Sequence, residues 1–279
     1  MSSSFPLLRL PEVVLCEVFK SLSIDEKISL SFCSRKTAIQ INISRFCSQK
    51  VLLYLDMAHL VIRVAHSEDY NYTYTYRKNS QEGFMSFIQH LLKIFHCKIS
   101  TDINHYNSDL YQSAILMLFD RQMEFKTVTI NLKGSEDDNL LLNRISSSLG
   151  LIEDLIISSS FNPSFIPVFT SWPQKINIMN SFWCTLESLL TCTSTTIKLD
   201  WSLLENKDMD VILRNWKAGG FPYLDRLTIE SLRFTNGEQI LGMTLMELDG
   251  KVIQSEDESK KATLKIRGRS IELSVIPSD

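Results

Sequence analysis

Two hydrophobic periods divide the chain. Up to about Phe46 the apolar residues recur every three or four positions, which is the period of an α-helix. From Val51 onward many of them recur at every second position, which is the period of a β-strand. The pattern therefore predicts a helical N-terminal segment followed by a larger region that mixes strands with helices.

The N-terminal segment predicts three short helices. Pro11 suits the first turn of a helix, because that turn needs no backbone N–H at this position, and the helix is predicted to end near Leu22. Ser23 and Glu26 have the spacing of a capping box, which starts a second helix immediately. A third helix is predicted over residues 38–46.

The first predicted helix has more apolar surface than one contact needs. One continuous stripe is formed by Val14, Leu15, Val18, Phe19 and Leu22. Val13 and Cys16 fall outside that stripe and are also apolar. Two apolar faces favour contact with another protein on the second face, and burial of both faces within one domain is the alternative.

This segment resembles an F-box. The resemblance rests on Leu10-Pro11, on the spacing of Val14, Val18 and Phe19, on Leu22-Ser23 and on the run from Ile28 to Lys36. Two positions depart from the family pattern: Val13 stands where many F-boxes have an acidic residue, and Thr37 where many have tryptophan.

The F-box resemblance implies docking on a Skp-family adaptor, which links such proteins to a cullin–RING ubiquitin ligase. On this basis the expected adaptor-binding residues are Leu10, Pro11, Val14, Val18, Leu22, Leu30 and Phe32. Which of these side chains turn inward stays open, because the same stripe must also close the module.

The middle of the chain predicts a three-stranded antiparallel meander and two helices. The strands are expected at residues 51–55, 60–64 and 70–76, which are rich in β-branched and aromatic side chains. The helices are expected at residues 84–95 and 108–119.

From residue 127 onward, predicted strands alternate with helical patterns. The strands are residues 127–132, 154–157, 175–179, 196–200 and 225–229, and the helices are residues 139–149, 185–190 and 208–217. The strands recur roughly every 20 to 30 residues, as in leucine-rich repeats. We therefore expect a leucine-rich-repeat-like α/β domain with a parallel sheet, and a generic α/β sheet is the alternative.

The block from Leu204 to Ile229 resembles the type 2 F-box-associated domain found in many nematode F-box proteins. Met209, Ile212, Leu213 and Trp216 share one helical face, and the Gly219-Gly220 pair stops that helix. The tail resembles the ending of that family in Leu248-Asp249-Gly250-Lys251 and in the predicted strands at residues 263–267 and 271–275. The predicted domains are an F-box at residues 1–46, a meander and helical connecting region at 47–126, and the F-box-associated domain at 127–279, which makes the fold α/β (α+β overall).

Composition and charge narrow the range of partners. Of 279 residues, 44% are hydrophobic, and a net charge of −3 gives no general attraction to nucleic acid or an anionic membrane. No apolar run approaches the roughly 20 residues that span a bilayer, and Met1 to Ser4 do not resemble a secretory signal. The six cysteines form no Cys-x-x-Cys pair, which favours reduced thiols. We expect an intracellular protein, cytoplasmic or nuclear, without nucleic-acid or membrane partners.

No pattern in the sequence points to catalysis. The five histidines lack metal-binding spacing, and no phosphate-cradling loop of the Gly-x-x-x-x-Gly-Lys-Ser/Thr type is present. We therefore expect no enzymatic activity, no cofactor and no metal.

Strand alternation predicts a face for binding target proteins. If the apolar residues of the later strands point towards the helices, their neighbours form an open face. These neighbours are Thr129, Asn131, Asp154, Ile156, Lys175, Asn177, Met179, Lys198, Asp200, Arg226, Thr228 and Glu230. The mixed charges with two apolar anchors suit protein recognition, and an ordinary solvated sheet face is the alternative.

Together these observations predict the substrate-recognition subunit of an SCF-type cullin–RING ubiquitin ligase. The F-box would hold the adaptor and the C-terminal domain an unidentified target protein. Two alternatives stay open: an adaptor-bound scaffold outside any ligase, and a leucine-rich-repeat-like binding module whose N-terminal helices are only a cap.

Overall fold

The computed structural model describes most of the chain: residues 7–44, 51–57, 59–65, 70–75, 81–95, 97–104, 108–133, 136–159, 162 and 166–276. The chain separates into two compact units, the first formed by residues 1–102 with 106–114 and the second by residues 103–105 with 115–279. Each unit combines helices with a sheet, so the mixed α/β class is confirmed. The three-part domain division stays a prediction.

Three helices begin the first unit: α1 (Glu12–Ser21), α2 (Ile24–Cys33) and α3 (Arg35–Ser44). The predicted capping box of α2 is confirmed, because the Ser23 N–H donates to Oε2 of Glu26 at 2.8 Å and the Glu26 N–H donates to Oγ of Ser23 at 3.2 Å. Helix α3 begins at Arg35 rather than Ala38, since Oγ of Ser34 accepts the Thr37 N–H at 3.1 Å. Its predicted end at Phe46 lies outside the described residues.

The first unit continues with a four-stranded arrangement in the order β4-β1-β2-β3. Strands β1 (Val51–Asp56), β2 (Val61–Ala65) and β3 (Tyr70–Thr75) form the predicted antiparallel meander, and helix α4 (Gln81–Ile94) leads to β4 (Cys97–Asn104). Tyr76, the predicted end of the third strand, lies outside the described residues.

Strand β4 pairs in parallel with β1, and the sequence did not predict it. Cys97 and Ile99 are buried as an alternating pattern requires, but the next inward position is Thr101. Its hydroxyl donates to the carbonyl of Leu55 at 3.0 Å, so a polar residue is satisfied inside the core. A prediction based on alternating hydrophobic residues overlooks a strand in which a buried position is polar.

The second unit follows helix α5 (Ser108–Asp120), which begins in the first unit. Its strands are β5 (Phe125–Leu132), β6 (Ile152–Ser159), β7 (Lys175–Met179), β8 (Thr196–Ser202), β9 (Arg226–Ser231), β10 (Val252–Gln254), β11 (Lys261–Arg267) and β12 (Ser270–Ile276). Its helices are α6 (Glu136–Ile145), continued by a 3-10 segment at Ser146–Leu151, α7 (Leu186–Leu190), α8 (Asn206–Lys217) and α9 (Leu245–Leu248).

Strands β5 to β9 are parallel neighbours in chain order, and β12, β11 and β10 extend the same sheet in antiparallel pairing. Helices α6, α7 and α8 fall between successive parallel strands, which is the connection that parallel pairing requires.

The core of the second unit lies on one side of these parallel strands. Ten alternating apolar residues are each at most 2% exposed: Val128, Ile130, Leu155, Ile157, Ile176, Ile178, Ile197, Leu199, Leu227 and Ile229. Helix α8 adds Met209, Ile212, Leu213 and Trp216, all buried on one face as predicted. The inward set predicted from strand alternation is therefore confirmed.

Buried serines tie the carboxyl ends of the parallel strands together. Ser159, Ser181, Ser202 and Ser231 are at most 2% exposed and lie at the ends of β6, β7, β8 and β9. Oγ of Ser181 donates to the carbonyl of Asp200 at 2.9 Å. Oγ of Ser231 shares its hydrogen between the carbonyls of Leu204 at 2.6 Å and Ser202 at 3.0 Å. Each turn is thus hydrogen-bonded to the next, which holds the strand ends in register.

Candidate functional site

Helix α1 turns only the centre of its apolar stripe inward. Leu15 and Phe19 are 4% and 1% exposed, whereas Val14 is 45% exposed. Val18 and Leu22 are half-buried on the flanks. The apolar stripe predicted from the sequence therefore has a buried centre that packs against the other helices and flanks that are accessible to solvent.

All seven residues predicted to bind an adaptor keep accessible surface. Pro11, Val14 and Phe32 are exposed, while Leu10, Val18, Leu22 and Leu30 are half-buried. The module is closed instead by Leu15, Phe19, Ile24, Ile28 and Ile41, each at most 4% exposed. The helices thus present the predicted residues to solvent, and their role in binding stays a prediction.

Three further apolar residues of these helices are exposed. Val13 is exposed over 76%, Ile39 over 49% and Ile43 over 40% of its surface. Ile39 and Ile43 stand one turn apart on α3, and this spacing was the signal available in the sequence. Val13 was visible as the apolar residue outside the α1 stripe.

Phe32 is exposed over 59% and is also held by the chain itself. Its ring stacks on His90 and Phe87 of α4, with centroids 4.3 Å and 5.7 Å away. Oγ of Ser31 donates to the carbonyl of Ile28 at 2.6 Å, so its contact with Nε2 of His90 at 2.7 Å is one in which the histidine donates. Burial, with a smaller contribution from the charge of Lys93, lowers the pKa of His90. Only the outer face of Phe32 is therefore open to a partner.

An open cleft of about 520 Å³ lies among α2, α3 and α4 of the first unit. Its lining residues are Ser31, Arg35, Ala38, Ile39, Asn42, His90, Lys93 and Ile94. Asn42 donates to the carbonyl of Lys93 and ties α3 to α4. The lining contains cations and no carboxylate, which favours a neutral or acidic group in this cleft.

The open face of the parallel strands consists of ordered cross-strand rows. One row runs from Asp154 through Lys175 and Thr196 to Arg226, and the next runs from Thr129 through Ile156, Asn177 and Lys198 to Thr228. None of the twelve residues predicted on this face is buried, and Met179 is 46% exposed. The side of the sheet predicted for these residues is confirmed, and target binding by them stays a prediction.

Charges on the open face are partly compensated within the sheet. Nζ of Lys198 lies 2.9 Å from Oδ2 of Asp200 on the same strand. Burial raises the pKa of Asp154, and the charge of Lys175 on the next strand partly opposes that effect. Arg226 and Glu230 add one charge of each sign on β9, so the face is electrically mixed.

The sequence pattern missed an exposed apolar group at the carboxyl ends of β8 and β9. Trp201 is 55% exposed, Leu203 39% and Leu232 49%. Strict alternation places Trp201 inward with Leu199, but the pairing with β9 changes register between Leu199 and Ser202. No pattern in the sequence predicts this change of register between β8 and β9.

The described ranges contain no group of three or more histidine, cysteine or carboxylate side chains that could hold a metal ion. The five cysteines described there are free, and burial raises the pKa of the Cys97 and Cys184 thiols to about 12 in each case. Within the same ranges, no helix combines the length and apolar character needed to cross a membrane.

Two family models match the chain. The model for the F-box domain matches residues 7–49, which include α1, α2 and α3. The model described as F-box associated matches residues 165–229, which include β7, β8 and the first four residues of β9. No curated protein and no solved structure gives a significant match. The resemblances read from the sequence at the N-terminal segment and at residues 204–229 are thus confirmed, while that of the tail at residues 248–275 stays a prediction. The chain therefore contains an F-box region at residues 7–49 and an F-box-associated region at residues 165–229.

Proposed function

We propose that this protein is the substrate-recognition subunit of an SCF-type cullin–RING ubiquitin ligase. The F-box would bind a Skp-family adaptor, and the C-terminal domain would capture a target protein. The observation that carries the proposal is the match of the F-box model to helices whose apolar residues are only partly buried.

The adaptor surface in this proposal is formed by the exposed sides of α1, α2 and α3. It contains the seven predicted residues together with Val13, Ile39 and Ile43. A patch of this composition is costly in water and is stabilised when a partner covers it, at about 25 cal/mol per Å² of apolar surface removed from water. The cleft beside Arg35 and Lys93 would receive a neutral or acidic side chain of the same partner.

The target-binding domain in this proposal is leucine-rich-repeat-like. Support comes from the parallel strands β5 to β9, the helices between them and the serine bonds that join successive strand ends. The open face, with Ile156 and Met179 among mixed charges, would supply the recognition surface.

The proposed mechanism is proximity rather than chemistry within this chain. An intracellular receptor that holds a target near a charged conjugating enzyme raises the effective concentration of the target's lysines. We accordingly propose that the chain has no catalytic residue or cofactor of its own.

The adaptor surface can be tested with Leu10→Ala combined with Pro11→Ala. Losing one or two such contacts, at about 1.5–3 kcal/mol per buried side chain, should weaken binding to a purified Skp-family adaptor by roughly one to three orders of magnitude. Isothermal titration calorimetry measures the affinity, and circular dichroism checks that the helices persist.

Val252→Ala, at an exposed residue of β10, is the control that should leave adaptor affinity unchanged. A folded double variant with full adaptor affinity would remove the basis of the proposal.

The open face can be tested with Lys175→Glu, Lys198→Glu and Arg226→Glu in one chain. We expect proteins recovered with the receptor from cells after proteasome inhibition to change, while adaptor affinity is retained, because these residues lie in the second unit. If the adaptor and every recovered protein persist unchanged, the open face is not the recognition surface.

A further inference from the structure

A tryptophan is held outward in a strained conformation at the end of β8. Trp201 has a φ of 55°, in the left-handed region that is unfavourable for a bulky side chain, and it is 55% exposed. The bulge between Leu199 and Ser202 turns its ring away from the core. Because much of the ring is exposed, its burial does little to offset the cost of this backbone conformation.

Hydrogen bonds on both sides hold Trp201 in place. The carbonyl of Asp200 accepts the N–H and the Oγ of Ser181 at 2.8 Å and 2.9 Å. The carbonyls of Leu204 and Ser202 share the hydroxyl hydrogen of Ser231, at 2.6 Å and 3.0 Å from its Oγ, and Oγ of Ser202 accepts the Leu204 N–H at 3.1 Å. Since Ser181, Ser202 and Ser231 are 0% exposed, the strained turn rests on a buried polar framework.

Apolar and basic residues surround the ring. Leu203 and Leu232 are exposed at the ends of β8 and β9. The Ser231 N–H donates to the carbonyl of Arg269 at 3.0 Å, which places the turn between β11 and β12 beside Leu232. Arg267 and Arg269 are exposed in or next to that turn and have no ion-pair partner among the described residues.

The nearby carboxylates are largely engaged. Asp200 pairs with Lys198 at 2.9 Å, and Glu205 is shared by Lys207 at 2.7 Å and Arg233 at 3.1 Å. Glu230 is half-buried, and Oδ1 of Asp249 accepts the Ile266 N–H at 2.8 Å next to Arg267, so these two carboxylates offset part of the charge of Arg267 and Arg269. A positive potential therefore adjoins the apolar group.

We propose that Trp201, Leu203, Leu232, Arg267 and Arg269, here called the Trp201 edge, bind an extended acidic peptide segment. An apolar or aromatic side chain of the segment packs on Trp201 and the two leucines, and its aspartates or glutamates pair with the arginines. The inference rests on the proposed function and specifies the chemistry of the target.

Strand spacing determines how far apart the apolar residue and the acidic residues of such a segment must be. Adjacent strands are about 4.8 Å apart, so the path from β8 across β9 and β12 to β11 is roughly 10 to 15 Å. An extended peptide covers this distance in about three to four residues. Tryptophan and arginine are also the residue types that most often dominate protein interfaces.

The test uses the full chain and three fluorescein-labelled ten-residue peptides. The first peptide has Phe-Leu followed, after a two-residue Gly-Ser spacer, by three glutamates. The second has lysines in place of the glutamates, and the third has serines in place of Phe-Leu. Fluorescence anisotropy gives each Kd, and adaptor affinity is measured on the same preparations.

We expect the glutamate peptide to bind at least tenfold more tightly than either matched peptide. Trp201→Ala should raise its Kd at least tenfold, and Arg267→Glu with Arg269→Glu should reverse the preference between the glutamate and lysine peptides. The control is Tyr223→Ala, which removes an aromatic ring that is 65% exposed just before β9, and it should leave the Kd unchanged.

The outcomes separate the inference from the proposed function. If the wild-type chain binds its adaptor but shows no preference for the glutamate peptide, the Trp201 edge is not an acidic-peptide site and the proposed function stands. Equal losses in Trp201→Ala and Tyr223→Ala would also overturn the inference. Failure of the adaptor to bind would count against the proposed function alone.

Discussion

Helices α1 to α3 and strands β5 to β9 use their apolar residues in opposite ways. In the parallel strands the ten inward apolar residues are at most 2% exposed. In the three helices, Leu15 and Phe19 are buried but Val13, Phe32 and Ile39 are 49% to 76% exposed. A central strand has a neighbour on each side and a layer over its inner face, whereas a short helix with few neighbours leaves part of its apolar surface open. Apolar residues therefore contribute to stability in the strands, whereas those left exposed on the helices form the surface that we propose for adaptor binding.

The two regions also differ in their buried polar groups. The parallel strands end in serines that bond to the next turn, and Asn206 at the start of α8 is fully buried with its amide satisfied. The helices α2 and α3 instead begin with exposed or half-buried capping serines. Four variants can break or sharpen this comparison.

The largest effect is expected from shortening an inward residue of a parallel strand. Leu227→Ala removes a side chain that is 0% exposed and should lower the free energy of unfolding by about 2–5 kcal/mol. Urea unfolding followed by tryptophan fluorescence measures it, because all four tryptophans lie in the second unit. Thr228→Ala, at the outward neighbour, should change stability by less than about 0.5 kcal/mol. Equal effects of the two variants would contradict the assigned sides of the sheet.

A buried polar residue should come next. Nδ2 of Asn206 donates to the carbonyls of Thr235 and Glu238 at 2.8 Å and 3.0 Å, and its Oδ1 accepts the Thr235 N–H at 2.9 Å. Three bonds at about 0.5–1.5 kcal/mol each predict that Asn206→Ala lowers the free energy of unfolding by roughly 1.5–4.5 kcal/mol. The same fluorescence titration applies, with Asn236→Ala at an exposed loop position as control. A loss below about 1 kcal/mol would show that the amide contributes little to holding this loop.

A smaller effect is expected at the cap of α2. Ser23→Ala removes the acceptor for the Glu26 N–H and should cost about 0.5–2 kcal/mol. Hydrogen exchange measured by mass spectrometry should show faster exchange over residues 24–33. Ser29→Ala, at an exposed position within α2, should not accelerate exchange. Similar exchange in both variants would argue against the capping box as the start of this helix.

The smallest effect is expected from pH at His90. Its pKa is lowered in the folded protein, first by burial and then by Lys93, while an unfolded histidine has a pKa near 6.5. Below about pH 6.5 the unfolded chain therefore binds a proton that the folded chain does not, and stability falls as the pH falls. Lys93, which lines the same cleft, adds to the cost of protonation.

The measurement is urea unfolding followed by circular dichroism at pH 7.5, 6.5 and 5.5. His90→Gln keeps a donor for Ser31 without a titrating group, so its stability should depend less on pH than that of the wild-type chain. Identical pH dependence in the two proteins would rule out His90 as a contributor.

Prediction from the sequence succeeded where the hydrophobic period assigns each residue to one side of an element without ambiguity. A strand that alternates strictly assigns Ile176 and Asn177 to opposite sides, and the structure bears this out. It failed at β4, where Thr101 occupies a buried position with a satisfied hydroxyl. It also failed at Trp201, because a change of register lies in the pairing of β8 with β9 and not in either strand alone.

The sequence by itself determined most of the local elements, the capping box of α2, the inward set of the parallel strands and the family resemblances that the matches at residues 7–49 and 165–229 confirm. These depend on spacing, on caps and on residue types, which are properties of short segments. Tertiary structure alone decided which apolar residues of α1 to α3 close the module, how Phe32 stacks on His90, and how Trp201 comes to face solvent. Each of these features depends on which segments pack together. That packing is determined by contacts between residues far apart in the chain, and a local sequence pattern does not encode such contacts.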